Sequence, residues 1–156
     1  MVIFVECDPP TATAQEKGLG IRWAKGRPFI YHYKKAKVAA VHKLITRLFK
    51  PHAPPEPIAG PCLVQWTFLY KFRKNELKRV IKTGFRWKTT KPDAGNTSKE
   101  PTDALTKLGF FTDDAVICVD IARKAWCSVP GIMLEITMLD DADVPADILD
   151  VINKRR

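Results

Sequence analysis

The sequence has no apolar run long enough to cross a membrane, and its N-terminus, MVIFVECDPP, lacks the basic start and cleavage site of a secretory signal. Its four cysteines include no Cys-x-x-Cys pair, and the spacing of His32, His42 and His52 matches no metal-site pattern. These absences argue against a membrane protein, a secreted disulfide-rich protein and a zinc protein. We therefore expect a cytoplasmic protein with free thiols.

Acidic residues are outnumbered by basic ones. The chain has 26 Lys and Arg against 17 Asp and Glu, a formal net charge of +9 and an isoelectric point of about 9.5. This balance suits a polyanionic partner such as nucleic acid, although ribosomal-type and membrane-surface binding would give similar totals. The imbalance is largest in residues 71–91, where we expect a surface for phosphate backbone. Its basic side chains are Lys71, Arg73, Lys74, Lys78, Arg79, Lys82, Arg86, Lys88 and Lys91.

Two aromatic residues, Phe85 and Trp87, alternate with Arg86 and Lys88 in this basic segment. Aromatic side chains placed between cations can stack on exposed bases, and they can equally bury one edge of a sheet. The residues favour the buried edge, with base stacking as the alternative.

Length and composition predict one domain over residues 1–156, because 156 residues that are 46% hydrophobic can bury a core of their own. Strand-like residue runs predict strands at residues 2–6, 29–33, 62–72, 115–126 and 131–139, and apolar periodicity predicts a helix at residues 34–49. Prolines at a first helical position predict further helices at residues 101–108 and 145–152. The strand at residues 62–72 is nearly all apolar, which favours a central place in the sheet. The order of elements predicts an α+β fold with a mixed sheet of about four or five strands.

Three local features refine this picture. Residues 11–27 are polar and rich in glycine, which favours a solvated loop, with a basic loop that orders on DNA as the alternative.

Pro101 has no amide to bond inside a helix capped by Asn96, so we expect the regular helix to start near Pro101 and to leave Lys99 in irregular chain. Pro130 followed by Gly131 fits a type II turn, so we expect the last two strands to form a β-hairpin.

Carboxylates are concentrated in two turns on either side of a short helical stretch. Asp93 lies in the turn Pro-Asp-Ala-Gly-Asn, and the adjacent Asp113 and Asp114 follow the stretch that ends at Gly109. If the fold brings the turns together, their carboxylates could hold a hard cation such as Mg²⁺ beside a phosphate substrate. In the alternative interpretation, Asp93 and Asn96 only cap a turn and a helix, and the acidic pair is a solvated loop.

Two motifs around these turns resemble a known family. The first is Lys-Pro-Asp-x-x-Asn-x-x-Lys at residues 91–99, and the second is Asp-Ala-Leu-Thr-Lys-x-Gly-Phe-Phe-x-Asp-Asp-Ala at residues 103–115. Weaker matches are Pro9-Pro10, Gly60-Pro61, Lys124 on the strand after the acidic pair, and Pro130-Gly131. In this order the motifs resemble the RusA family of Holliday junction resolvases, especially its prophage members.

The resemblance implies a set of site residues. In that family the first aspartate, an aspartate two residues later and the second member of the Asp-Asp pair bind metal, and a lysine six residues after the first aspartate assists the chemistry. These positions fall on Asp93, Gly95, Asp114 and Lys99. Because glycine has no ligating side chain, one family carboxylate is missing here, and Asp113 is the neighbouring carboxylate that could serve as an outer partner or substitute.

The resemblance also implies a homodimeric endonuclease of a bacterial or phage-infected cell. It would depend on Mg²⁺, with Mn²⁺ as the alternative ion, and would cut two strands symmetrically in a four-way DNA junction that Lys124 also contacts. We then expect the Asp93 and Asp114 carboxylates to approach to roughly 4–6 Å, close enough to share a cation. Gly95 favours the alternative of a junction-binding protein with little or no nuclease activity. A third class is a generic basic nucleic-acid binder.

Overall fold

The computed structural model describes residues 1–13, 17–76, 78–140, 142 and 144–154. In these ranges the strands are β1 (Val2–Glu6), β2 (Lys17–Ala24), β3 (Arg27–Lys34), β4 (Cys62–Lys71), β5 (Phe85–Trp87), β6 (Ile117–Cys127) and β7 (Gly131–Met138). The helices are α1 (Ala36–Phe49), α2 (Lys78–Lys82), α3 (Ala94–Lys107) and α4 (Ala146–Asn153), with 3₁₀ turns at Lys50–His52 and Asp114–Val116. The main sheet has the order β1-β7-β4-β6-β5, and β2 pairs with β3 in a separate sheet. The predicted α+β class with a mixed sheet is confirmed.

Strand β4 is the centre of the main sheet, as its apolar sequence predicts. It pairs in parallel with β6 and antiparallel with β7. Its fully buried Trp66 ring stacks on Phe68 at 5.9 Å and meets Phe49 of α1 edge-on at 5.7 Å. The Trp66 Nε1 group donates to Thr102 Oγ1 of α3 at 3.2 Å. Helices α1 and α3 therefore cover the same face of the sheet.

The first and the last of the predicted helices are confirmed. Helix α1 buries four apolar side chains at helical spacing, namely Val38, Val41, Ile45 and Phe49. It ends where Pro51 removes the next backbone donor. Helix α4 starts beside Pro145, whose carbonyl accepts from the Ile148 and Leu149 amides.

Helix α3 starts earlier than predicted, at Ala94, and continues through Pro101 to Lys107. The expected late start was wrong because burial holds the first turns in helical form. Thr97, Ser98 and Pro101 are buried, and the nearly inaccessible Glu100 carboxylate lies 3.0 Å from His42 Nδ1 of α1. These contacts offset the hydrogen bond that Pro101 cannot donate.

Strands β6 and β7 are not a hairpin, which corrects a second prediction. They flank β4 on opposite sides, and the three residues between them cross the end of that strand. Neighbouring strands lie about 4.8 Å apart, so a link of this length can span the roughly 10 Å between the outer two. A short turn is therefore compatible with two adjacent strands and also with two strands that flank a third.

Residues 11–27 are not one solvated loop, which corrects a third prediction. Residues 17–24 form β2, and β2 and β3 make an antiparallel hairpin from Lys17↔Lys34 to Ala24↔Arg27. Alternation along β2 is hidden in the sequence because Gly18 and Gly20 stand on one face under the rings of Tyr33 and Tyr31. The part of this prediction that falls on residues 14–16 lies outside the described residues.

The remaining expectations concern the cysteines and the membrane. Cys7, Cys62, Cys118 and Cys127 are free thiols, as predicted. Burial and, to a smaller extent, the nearby Asp8 charge raise the pKa of the Cys7 thiol to about 11. Among the described residues, every helix is too short or too polar to span a membrane.

Candidate functional site

The carboxylate of Asp93 is exposed at the start of α3 and does not cap the helix. The Asp93 carbonyl accepts from the Thr97 amide at 3.1 Å and from Thr97 Oγ1 at 2.8 Å, while its side chain makes no capping bond. The predicted N-cap at Asn96 is wrong, since Asp93 holds that position. The positive end of the helix dipole favours an anion here. The backbone of Asp93 thus serves the helix, and its carboxylate remains available for a ligand.

Two lysines hold the turn that leads to Asp93. Lys124 of β6 donates from Nζ to the carbonyls of Thr90 at 2.7 Å and Pro92 at 2.5 Å. Lys88 donates to the Thr90 carbonyl at 2.9 Å, to Thr90 Oγ1 at 2.8 Å and to the Lys91 carbonyl. Charge-assisted bonds of this kind are stronger than neutral ones. Both side chains therefore fix the backbone before Asp93.

The position of Lys88 changes its predicted role. Only 6% of Lys88 is exposed, and its Nζ lies 5.0 Å from the Tyr70 ring centre and 4.9 Å from that of Trp126. Aromatic faces attract cations at this distance. A cation enclosed in this way cannot reach a phosphate backbone, so the predicted DNA contact of Lys88 is wrong. Lys124 is half-buried and is kept as a positioning residue.

Most of the other predicted DNA-contacting side chains lie on the surface. Arg73 places its guanidinium 4.9 Å from the Trp126 ring centre, and Arg86 pairs with Glu76 at 2.6 Å, which reduces its free charge. The side chain of Arg79 lies outside the described part of the structure. The exposed members of the set are Lys71, Arg73, Lys74, Lys78, Lys82, Arg86 and Lys91.

The buried lysine predicts a pH dependence of stability. Desolvation by burial lowers the pKa of Lys88 from 10.5, and the charges of Lys124 and Arg73 lower it further. Between the folded pKa and 10.5 the unfolded chain binds more protons, so stability rises with pH there. We expect the free energy of unfolding to increase between about pH 7 and pH 10 by more in the unmodified protein than in Lys88→Met. Urea denaturation at both pH values measures this difference.

Lys91→Met is the matched control, because Lys91 is exposed and three residues away. It should retain the pH dependence of the unmodified protein. An equal pH dependence in Lys88→Met and the unmodified protein would contradict the assignment to Lys88.

Gly95 and Lys99 share one exposed side of α3, because residues four apart are neighbours on a helix. A Cβ atom built at Gly95 has no heavy atom within 4 Å outside the local helix. The position therefore has room for a side chain, and the absence of a carboxylate there is not imposed by packing. Lys99 lies within regular helix, which corrects the expectation of irregular chain.

A carboxylate on β6 escaped the sequence prediction. Asp120 Oδ2 accepts from Ser98 Oγ at 3.0 Å, and Ser98 Oγ lies 3.5 Å from the Gly95 carbonyl. Asp120 is exposed and lies four residues before Lys124, so both side chains are on the same face of β6. Because side chains alternate along a strand, the sequence alone could have placed Asp120 on the same face as Lys124. Asp120 places a negative charge near the helix turn where Gly95 supplies none.

The two aspartates of the second acidic turn have different environments. Asp113 Oδ1 accepts from the Ala115 amide at 2.8 Å and so caps the 3₁₀ turn. Asp114 begins that turn and is exposed, and its carboxylate has no hydrogen-bond or ion-pair partner in the part of the chain that the structure describes. Asp114 is therefore the carboxylate of this pair that is free to bind a ligand.

The path of the chain places the two acidic turns toward opposite ends of α3. Strand β6 runs back along the helix, since Lys124 reaches Pro92 before the helix while the earlier Asp120 reaches Ser98. Asp114 precedes β6, toward the far end of a 14-residue helix that is about 21 Å long. This path does not support the expected separation of roughly 4–6 Å from Asp93 within one chain. Among the described residues, no three acidic, histidine or cysteine side chains form a metal cluster.

Comparison with known proteins agrees with the motifs at these turns. A family model described as Endodeoxyribonuclease RusA matches residues 9–137. The chain is also 30% identical over 134 residues to a protein of Lactococcus phage r1t named crossover junction endodeoxyribonuclease rusA, covering 85% of this chain and 93% of that protein. The matched region contains both acidic turns, the basic segment and most of the main sheet. The chain therefore belongs to the RusA family of endodeoxyribonucleases.

Proposed function

We propose that this protein binds four-way DNA junctions and cuts them with a metal-dependent site at the start of α3. The observation that carries this proposal is the exposed Asp93 carboxylate, which the helix does not use and which lies at the end of the basic segment. Lys99 follows on the same helix, where its charge can stabilise a phosphate or leaving oxygen. Family membership supports a junction-resolving endonuclease.

The available side chains fit a hard divalent cation. RusA-type nucleases depend on divalent metal ions in general. Mg²⁺ commonly binds through one or two carboxylates and completes its shell with waters and substrate phosphate. Asp93 and Asp114 offer such oxygens, Asp113 is an outer partner, and Mn²⁺ would accept the same donors. When bound, the ion would neutralise charge on the scissile phosphate and lower the pKa of the attacking water.

Symmetric cleavage requires two sites, and we propose that a homodimer supplies them. One chain carries Asp93 and Asp114 toward opposite ends of α3. If both act on one phosphate, this path favours an Asp114 that is contributed by the second chain of the dimer. This arrangement makes activity depend on dimerisation.

Gly95 favours slow cleavage. The second candidate function, a junction-binding protein, applies if cleavage is weak or absent. The first turn of α3 lacks the family carboxylate, while the exposed cations of the basic segment are present. Binding to phosphate depends on those cations, whereas catalysis depends on carboxylates that hold the metal. The two properties can therefore separate in this chain.

One experiment tests the proposal and separates the candidates. A labelled four-way junction and a linear duplex of equal length are incubated with the protein, with either Mg²⁺ or EDTA. The proposed function predicts preferential junction binding in EDTA and slow paired nicks in Mg²⁺. Preferential binding without cuts indicates the junction-binding protein, and equal binding to both DNAs indicates a generic nucleic-acid binder.

The basic segment should dominate affinity for DNA. Replacing Lys78, Arg79 and Lys82 by glutamine should weaken junction binding by about tenfold or more, because each cation that meets a phosphate releases counterions. The slope of log affinity against log salt should become shallower by about 2.7 for three lost contacts. Titrations with labelled junction at several salt concentrations measure both quantities.

A triple glutamine variant of Lys37, Lys43 and Arg47 is the matched control. These side chains are exposed on α1, and their loss changes the net charge by the same amount. Equal weakening in both triple variants would show that total charge, and not residues 71–91, controls affinity.

A further inference from the structure

The β2–β3 hairpin is separate from the main sheet and exposes apolar side chains. Neither strand pairs with the five-stranded sheet in the described part of the chain. Each strand has eight residues, so the hairpin is about 26 Å long. An isolated two-stranded hairpin is only marginally stable in water. This low stability indicates that a partner covers the hairpin in the functional state of the protein.

The strand register gives the hairpin two different faces. Opposed residues in an antiparallel pair share a face. One face is apolar and carries Leu19, Ile21, Trp23, Pro28 and Ile30 with His32. The other face carries Arg22, Arg27, Phe29, Tyr31 and Tyr33, with the tyrosine rings lying over glycines.

The tip combines aromatic and basic side chains. Trp23 is 71% exposed and Phe29 is 59% exposed. Lys25 and Gly26 both have positive φ, at 49° and 73°, which makes the narrow type of two-residue hairpin turn. The tip is therefore narrow, and Arg22, Lys25 and Arg27 neighbour its two aromatic residues in the chain.

Charge identifies the partner of this hairpin. Residues 17–35 contain six Lys and Arg and no Asp or Glu. Pairing of this segment with the same segment of a second copy would bring like charges together, whereas a polyanion complements it. A two-stranded ribbon also has the width of a DNA major groove. DNA is accordingly the occupant that the charges favour.

The apolar face selects the part of the DNA. Leu19, Ile21 and Trp23 gain no binding energy from contact with phosphates. They do gain binding energy from contact with bases that are unstacked. Such bases are expected at the branch point, where the strands of a junction part. Resting on the proposed function, we propose that the β2–β3 hairpin is a DNA-binding arm that enters the branch point, where Trp23 stacks on bases and Arg22, Lys25 and Arg27 bind phosphates.

Binding in EDTA tests the arm without cleavage. Trp23→Ala should weaken binding to a four-way junction by about tenfold and binding to a duplex by less than about twofold. Trp23 is mostly exposed, so its replacement should leave the core intact. The predicted burial of Phe85 and Trp87 at a sheet edge is wrong, since they are 41% and 60% exposed on β5. Trp87→Ala is therefore the matched control, because Trp87 is the competing candidate for base stacking.

Photocrosslinking locates the contact. The unmodified protein is irradiated with junctions that carry 5-iododeoxyuridine either at the branch point or within one arm. The branch-point probe should label residues 17–34, and Trp23→Ala should lose most of that label while Trp87→Ala keeps it. A label on β5 that depends on Trp87, or unchanged labelling of Trp23→Ala, would overturn the inference.

Two further outcomes also bear on the inference. If Trp23→Ala binds junctions as the unmodified protein does, while junction preference persists, the arm has no such role and the proposed function survives. If the unmodified protein has no junction preference, both ideas fail. If light scattering without DNA shows that Trp23→Ala turns a dimer into monomers, the hairpin is a subunit interface and the inference is overturned.

Discussion

Gly95→Asp should raise the rate of single-turnover junction cleavage in Mg²⁺ by about a hundredfold. The variant restores a hard oxygen donor at the second position of α3, where a Cβ meets no heavy atom within 4 Å outside the local helix. An acidic side chain also suits the positive end of a helix, so the change should not disturb folding. Rates are measured with enzyme in excess over labelled junction, which isolates cutting from product release.

Gly95→Asn is the matched control, because it adds nearly the same volume without the charge. It should change the rate by only a few-fold, and junction affinity in EDTA should be similar in all three proteins. If the unmodified protein already cuts as fast as Gly95→Asp, the missing family carboxylate is irrelevant. Asp120, which lies near this turn through Ser98, would then be the carboxylate to replace next.

Asp114→Asn in the Gly95→Asp background should lower the cleavage rate by at least about a hundredfold. The Asp114 carboxylate is exposed and is not used by its turn, so its replacement removes the proposed ligand and not a structural contact. Asp113→Asn is the matched control one residue away. Asparagine can still cap the 3₁₀ turn and make hydrogen bonds as an outer partner, so this variant should lose much less activity than Asp114→Asn. Equal rates for Asp114→Asn and its parent would show that the assigned site is wrong.

Mixing two inactive variants tests where Asp114 acts. Chains with Asp93→Asn and chains with Asp114→Asn, both carrying Gly95→Asp, are unfolded together and refolded. If each site combines Asp93 of one chain with Asp114 of the other, a mixed dimer has one intact site and recovers single nicks. If both residues act within one chain, every site is damaged and no activity returns. The antiparallel path of α3 and β6 predicts recovery.

Local sequence patterns were sufficient for most elements of the fold. The residue patterns located α1, α4 and the strands β1, β4, β6 and β7 of the main sheet, but they did not predict the three-residue β5. The uninterrupted apolarity of β4 also predicted its central place, which the pairing with β6 and β7 confirms. The two acidic turns and Lys99 came from motif order, and membership of the RusA family agrees with that order.

Contacts between distant residues decided the rest. Pro101 predicted a late helix start, but burial of its turn and the pair between Glu100 and His42 hold α3 from Ala94. The turn at Pro130 predicted a hairpin, but β4 inserts between its strands. Hydrophobic burial and strand pairing join residues far apart in the chain, so their energies can override a local preference that is worth only about a few kcal/mol.

The candidate site shows the same division. Residue types alone determined that this protein carries a cationic segment, two carboxylate turns and a glycine at position 95. Only the tertiary structure turned Lys88 inward beneath Tyr70 and Trp126, brought Asp120 to Ser98, and set Asp93 and Asp114 toward opposite ends of α3. The physical reason is that charge and chemistry belong to individual side chains, whereas burial, partners and separation depend on how the whole chain packs.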